Sequence, residues 1–360
     1  MCFKAAAVLM AVVLLFPCRA NAISARKAVV MDGQTGRVLY AKDADAKSLI
    51  ASTTKIMTAL LICEQCNVLD RMQIPKEAVG IEGSSMYLRE GEVLTLQELL
   101  YGLMLSSGND AAVALAIYCG GTVEGFAQLM NDKARELGLT QTHFSNPNGL
   151  DAPDHYSCAR DLAVLASYAM KNPIFAMTVS TKTVHVGQRV LRNHNKLLWL
   201  VEGANGVKTG YTKAAGRILV SGASRGGRQI VAVTLDAPSD WQDHKLLLEQ
   251  AFSGYQVKTL VRAGQILAAV PVAGGSAGNV ELIAQEDFAY AVARGESVSL
   301  ELPGAGFVYA PVCAGQDAGY AHVFLDGVAV GKVPLMYGET VEQEKEEKIS
   351  LWEKLFGVKK

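Results

Sequence analysis

Three short groups of residues could do chemistry together: Ser52 with Lys55, Ser107 with Asn109, and Lys208 with Thr209 and Gly210. A serine hydroxyl is a weak nucleophile until a base takes its proton, and an amine three residues along a helix is placed over it. To serve as that base the amine must be neutral near pH 7, which requires burial or a nearby cation to lower its pKa. Lys208 is the second cation. A lysine inside the apolar run ASTTKIMTALLICEQC (Ala51 to Cys66) is therefore placed badly for solubility because it is placed well for proton transfer.

The other two groups complete an acyl-transfer site. Ser107 is suited to pass a proton toward a leaving group, and Asn109 to hold a substrate amide. A strand carrying Lys208-Thr209-Gly210 can pair with an extended peptide as if the peptide were a further strand. Gly210 lets that backbone come close, and Lys208 and Thr209 then receive a terminal carboxylate. The backbone N–H groups of Ser52 and Tyr211 are the candidates for an oxyanion hole. A lone S-x-x-K carries little weight, since Ser24 to Lys27 is a second copy with no function attached. The chain contains no other S-x-N or K-x-G.

The elements that must position these residues are legible in part. KAVVMDGQTGRVLYAK reads as a β-hairpin turning at DGQTG, and a helix is expected from Ser52. TLQELLYGLMLSSGNDAAVALAIYCGG reads as two helices broken at Gly108, with Thr95 and Glu98 forming a capping box. VEGFAQLMNDKARELGL places Phe126, Leu129 and Met130 at helical spacing. SCARDLAVLASYAM is a further helix in which Asp161 reads as a buried anchor. GVKTGYT, GRILVSGAS and RQIVAVTL read as successive strands, and DHKLLLEQAFSGY as a closing helix. The expected fold class is α+β, with one domain over residues 23–257. Short alternating strands with Gly-rich turns then predict a small β-rich domain over residues 258–340.

Both termini differ from the body. Residues 1–22 carry one lysine, an apolar run from Ala5 to Phe16 and Ala20-Asn21-Ala22, the pattern of a signal peptide cleaved after Ala22. The protein is expected to be exported. Residues 341–360 place Ile349, Leu351, Trp352, Leu355, Phe356 and Val358 on one half of a helical wheel, with Glu346, Glu347, Ser350, Glu353 and Lys354 on the other. Such a helix suits the interface of a membrane surface, here the outer face of the cytoplasmic membrane, without spanning it. A chain of 360 residues with formal charge −1 and no basic block argues against nucleic acid as the main partner. Five cysteines follow the signal peptide, and Cys63 and Cys66 read as small residues of an apolar helix rather than as a redox motif.

Taken with GSSMYLREGEVLTLQELLYGLMLSSGNDAA, NPNGLDAPDHYSCARDLA, NHNKLLW and GVKTGYTKAAGRILVSGAS, the three motifs resemble the D-alanyl-D-alanine carboxypeptidases of the low-molecular-mass penicillin-binding protein family. The resemblance implies a penicillin-recognising serine transpeptidase/β-lactamase-like catalytic domain, with a small β domain and an amphipathic tail behind it. It implies acylation of Ser52 by peptidoglycan stem peptides ending in D-Ala-D-Ala, release of D-alanine, hydrolysis of the acyl-enzyme, and covalent inhibition by β-lactams. The base would be Lys55, the second serine motif Ser107 to Asn109, and the carboxylate site Lys208 to Gly210. No metal or other cofactor is implied. Two positions depart from the family: Tyr211 stands where many relatives have His, and His194 where some carry Arg.

The rivals are ranked by what the chain lacks. A β-lactamase would show E-x-x-L-N between Asn109 and Lys208, where Glu124, Glu136 and Glu202 do not begin it. A zinc peptidase would pair its histidines, and His143, His155, His185, His194, His244 and His322 show no H-E-x-x-H. A transpeptidase or endopeptidase differs only in the group accepted or released. A non-catalytic wall-binding protein would be favoured by loss of Ser52, Lys55 or Lys208, and all three are present.

Overall fold

The computed structural model describes residues 23–304 and 306–345. The expected signal peptide and most of the expected terminal helix lie outside these residues.

A five-stranded antiparallel sheet forms the centre of the first unit. Its order is Val38–Lys42, Lys27–Asp32, Arg228–Leu235, Gly216–Arg225, Ala204–Thr212. Strand alternation divides the apolar residues between two cores. Val29, Met31, Val231 and Val233 face one side, while Ala28, Val30, Ile230 and Ala232 face the other. The first side carries the helical block: α1 (Lys55–Gln65), α2 (Leu96–Leu105), α3 (Asn109–Gly120), α4 (Val123–Glu136) and α5 (Ala159–Ala169). Further along, α6 (Pro173–Ser180) starts at an Asn172 cap and α7 (Leu197–Leu200) is one turn long. The second side is covered by α8 (Asp240–Gly254), whose Leu247, Leu248 and Ala251 are buried. His244 of α8 is fully buried between Ser221 Oγ (2.6 Å from Nδ1) and Thr234 Oγ1 (2.8 Å from Nε2).

Local signals decide several boundaries. The capping box at Thr95 and Glu98 is present, and Phe126 and Met130 are buried at the spacing read from sequence, with Leu129 partly buried. Asp161 is an anchor: it accepts from the Gln141 N–H (2.8 Å) and the Thr142 hydroxyl (2.7 Å). Ser24, of the second S-x-x-K, donates to Asp243 Oδ2 at 2.7 Å and so ties the chain start to α8. The helix expected from Ser52 begins later. Ala51–Thr54 is a 3-10 turn, and the α-helix starts at Lys55.

After α8 the chain enters β structure. Tyr255–Val261 pairs with Phe288–Ala293, and a six-stranded sheet includes Ile266–Ala273, Asn279–Ala284, Asp317–Leu325 and Val328–Tyr337. Val280, Leu282, Ala321, Val323, Val333 and Leu335 are buried in its two small cores. Arg37, on the turn of the first hairpin, reaches this unit by an ion pair with Glu296 and by donating to Ala291 O. At the start of the expected tail, Val341 bridges to Val312 and Gln343 to Gly275, so these two residues pair with the β unit. Backbone pairing outweighs their place in the amphipathic pattern.

Candidate active site

The turn Ala51–Thr54 holds Ser52 in a strained position. Ala51 has φ +43°, a region that non-glycine residues seldom occupy, so its surroundings must over-determine it. The Thr53 hydroxyl donates to Ile50 O at 2.5 Å and the Thr54 hydroxyl to Ala51 O at 2.9 Å. Behind them the ring of His155 accepts from the Ser145 N–H at Nδ1 (3.1 Å), so its Nε2–H donates to Thr54 Oγ1 (2.7 Å). Gly149 (φ +89°) packs directly on this turn, where an added Cβ would fall 1.9 Å from Ala51 O.

Burial keeps His155 neutral by pushing its pKa down to about 4, and does the same to His244, down to about 3. In the unfolded chain both titrate near 6.5, so below that pH the unfolded state binds more protons and stability falls as pH drops toward the folded values. At pH 5 each histidine is expected to cost roughly 2 kcal/mol relative to pH 7. Thermal melts across pH 5–7 check this, and His244→Gln should flatten the dependence.

Lys55 is wholly buried. Its Nζ lies 3.1 Å from Ser52 Oγ, 2.7 Å from Asn109 Oδ1 and 2.5 Å from Asn148 O. Burial foremost, then the charge of Lys208, pushes its pKa well below the ordinary lysine range, with Asp110 opposing. Both causes are the ones read from the sequence. The orientation of the Asn109 amide is settled by its other end, which donates to Glu82 O at 2.5 Å.

The break between α2 and α3 presents the second serine. Ser107 has φ +61° and is nearly buried, and the Gly108 N–H returns to Gly102 O at 3.0 Å. Asp110 then anchors the loop ahead of it by accepting from Ser85 Oγ (2.6 Å), Met86 N (3.1 Å) and Leu88 N (3.0 Å). The Asn109 N–H donates to Ser84 O at 2.7 Å, which brings Ser84 to the same cleft.

Ala204–Thr212, which carries Lys208, Thr209 and Gly210, is an edge strand of the sheet. Lys208 is buried, its Nζ donates to Thr209 O at 2.9 Å, and burial lowers its pKa to about 7. Gly210 does permit a close approach, but to the nucleophile turn. A Cβ there would sit 3.3 Å from Ala51 Cβ and Ile50 O and 3.4 Å from Ser52 N. The absent side chain thus brings the strand against the serine. Tyr211 is 65% exposed at the mouth of the same strand.

Ser52, Ser107, Thr209, Gly210, Tyr211 and His194 line one cleft of about 300 Å³, and Lys55, Asn109 and Lys208 lie buried at its base. His194 is held there by its neighbours: Asn193 Nδ2 donates to Val179 O and Thr181 O (both 3.0 Å), and Asn195 Nδ2 to Gly206 O (2.6 Å). Burial and the charge of Lys208 lower the His194 pKa, which favours a neutral ring.

Sequence reasoning missed Ser84, Asn148, His155, Arg217, Asp240 and Trp241. Arg217 stands opposite Tyr211 in strand register and pairs with the buried Asp240 at 2.9 Å. A hairpin register drawn through YTKAAGR would have brought Arg217 to the cleft. Nothing local in the sequence signals the carbonyl of Asn148.

The family description D-alanyl-D-alanine carboxypeptidase matches residues 16–239. The chain belongs to that family. The C-terminal domain of penicillin-binding protein 5 matches residues 255–343. Among relatives, D-alanyl-D-alanine carboxypeptidase DacF of Bacillus subtilis is 33% identical over 335 residues, 89% of this chain and 86% of its own length. Penicillin-binding protein 5 of Haemophilus influenzae has a similar structure, with TM-score 0.79 and 28% identity over 89% of this chain and 98% of that one. A serine-to-alanine mutant of the Streptomyces K15 DD-transpeptidase covers 64% of this chain and 99% of its own, with TM-score 0.63 and 36% identity. The family membership accounts for the α+β catalytic unit and the β unit behind it, and for a serine peptidase as the class of enzyme.

Proposed function

We propose that this protein removes the terminal D-alanine from peptidoglycan stem peptides, with Ser52 as nucleophile and Lys55 as its base. The observation that carries the reading is the set of contacts around the Lys55 amine. A neutral amine has two N–H donors and one lone pair. Asn109 Oδ1 and Asn148 O can only accept, so they take both hydrogens and leave the lone pair facing Ser52 Oγ. Proton transfer from Ser52 to Lys55 then needs no rearrangement.

In this reading the stem peptide lies along the free edge of Ala204–Thr212, its terminal carboxylate beside Lys208 and Thr209. An arriving carboxylate favours the charged form of Lys208. Ser52 Oγ attacks the carbonyl between the two D-alanines, and the N–H groups of Ser52 and Tyr211 hold the oxygen as it gains charge. Ser107 relays the proton to the departing nitrogen, and water then hydrolyses the ester. A β-lactam carries a strained amide and a carboxylate and acylates the same serine. Mass spectrometry of a pentapeptide ending in D-Ala-D-Ala tests the activity. Loss of one alanine is expected, and joining to an added amine without hydrolysis would instead favour the transpeptidase reading.

We also propose that the protein is exported and held at the outer face of the cytoplasmic membrane by the amphipathic segment from Glu346 onward. The apolar half-wheel with Trp352 and Phe356 supports it. Deleting residues 346–360, which spares the bridges at Val341 and Gln343, is expected to move activity from the membrane pellet to the soluble fraction. Unchanged sedimentation would remove the anchor.

A further inference from the structure

α1 and α3 run side by side in the same direction and touch at both ends. At their N-terminal ends Lys55 Nζ meets Asn109 Oδ1 at 2.7 Å. At their C-terminal ends the Cys119 thiol donates to Gln65 Oε1 at 3.6 Å, and the thiols of Cys66 and Cys119 hydrogen-bond to each other. Beside them the Tyr118 hydroxyl donates to Asp70 Oδ2 at 3.0 Å across the same gap. Both cysteines are free thiols in this structure, and neither lines the reaction cleft.

Two thiols in hydrogen-bond contact on neighbouring helices are near the arrangement of a disulfide, whose Cβ atoms stand about 4 Å apart. Cys66 is well placed to close the remaining gap. It caps the C-terminus of α1 in an extended conformation (φ −121°, ψ 150°), so adjusting it disturbs no helix interior. The rival pair, Cys63 with Cys66, is less suited. Residues three apart on a helix hold their Cβ atoms about 5–6 Å apart, and closing that distance would unwind the last turn of α1. Cys63 is also buried in the main core, whereas Cys66 and Cys119 are half-buried and open to a reagent. Of the other two cysteines, Cys158 is buried at the N-cap of α5 and Cys313 lies in the β unit.

We infer that Cys66 and Cys119 form a disulfide in the mature protein, clamping the C-terminal ends of the two helices whose N-terminal ends carry Lys55 and Asn109. The proposed export supplies the setting, because disulfides form and persist outside the cytoplasm. The bond closes a loop of about 50 residues that includes Ser84 and Ser107, and restricting such a loop in the unfolded chain favours the folded one.

The oxidant is another disulfide, either a small molecule or a thiol–disulfide oxidase. Burial raises both thiols, Cys66 to about 12, while the hydrogen bond from Cys66 works the other way at Cys119. Cys119 therefore attacks first. It loses its proton, bonds to one sulfur of the oxidant and expels the other. Cys66 then loses its proton, attacks the Cys119 sulfur and expels the second. Two electrons and two protons pass to the oxidant, which leaves as two thiols.

The test uses the full chain, incubated with oxidised glutathione or with dithiothreitol and then blocked with iodoacetamide in denaturant. A peptide map of the oxidised sample by mass spectrometry is expected to show Cys66 joined to Cys119, with Cys63, Cys158 and Cys313 alkylated. Its Tm, measured before blocking, should exceed that of the reduced protein by about 5–15 °C. Cys63→Ala should keep this difference, and Cys66→Ser and Cys119→Ser should lose it. The wild-type map and melts decide the matter even where a serine variant fails to fold. Alkyl groups on Cys66 and Cys119 after oxidation, glutathione retained on either, or a Cys63–Cys66 bond overturns the inference. A joined pair with no rise in Tm overturns the clamp.

Discussion

Ser52→Ala is expected to take up no covalent label from a fluorescent penicillin and to release D-alanine about 10⁴-fold more slowly or worse, the scale seen when a serine nucleophile is removed. The loss is chemical. Without Oγ there is no acyl-enzyme, and the donors and cations that remain can only bind substrate and polarise its carbonyl. The fold should tolerate the change, because the hydroxyl's hydrogen bond is to Lys55 Nζ and one such bond has a net worth of about 1 kcal/mol. A labelled Ser52→Ala protein would show that the nucleophile lies elsewhere in the cleft, with Ser107 and Ser84 the remaining serine hydroxyls on its lining.

Lys55→Met keeps the length and burial of the side chain and removes the base. Acylation by penicillin is expected to fall about 10³-fold or more. Loss of both Asn109 Oδ1 and Asn148 O partners will also cost stability, so the comparison needs a melting curve to show a folded protein. The pH profile is the sharper readout. The amine is a base only when deprotonated, so wild-type acylation should rise with pH through the Lys55 pKa and level off above it. Burial and the Lys208 charge put that rise well below the ordinary lysine range. Lys208→Ala removes a cause that lowers the Lys55 pKa, so in that variant the rise should move to higher pH. A Lys55→Met protein with near wild-type acylation, or a Lys208→Ala profile shifted toward acid, would refute the assignment of base and neighbour.

The chemistry of the site was legible because its residue types are costly anywhere else. A lysine in an apolar helix, a serine–asparagine pair at a helix break and a K-T-G in a strand each conflict with their local surroundings, and such conflicts mark sites. Local signals also placed the capping box at Thr95 and the apolar stripe at Phe126 and Met130. Boundaries were less legible. The turn at Ala51–Thr54 is set by Gly149 and by the His155–Thr54 contact, both about a hundred residues away in sequence. Likewise the residues at Val341 and Gln343 follow the strands they bridge rather than the amphipathic period of the tail.

Alone, the order and types of residues determined a serine acyl-transfer enzyme, its three motifs and its two-part body, because nucleophile, base and cation must be encoded as side chains. Tertiary structure decided which atoms complete the machinery: the Asn148 carbonyl that directs the Lys55 lone pair, the His155 ring behind the nucleophile turn, Arg217 across the strand from Tyr211, and the cleft that gathers the three motifs. Backbone carbonyls carry no sequence signature, and cavities are made by what several distant segments leave unfilled, so both come into existence only when the chain has closed on itself.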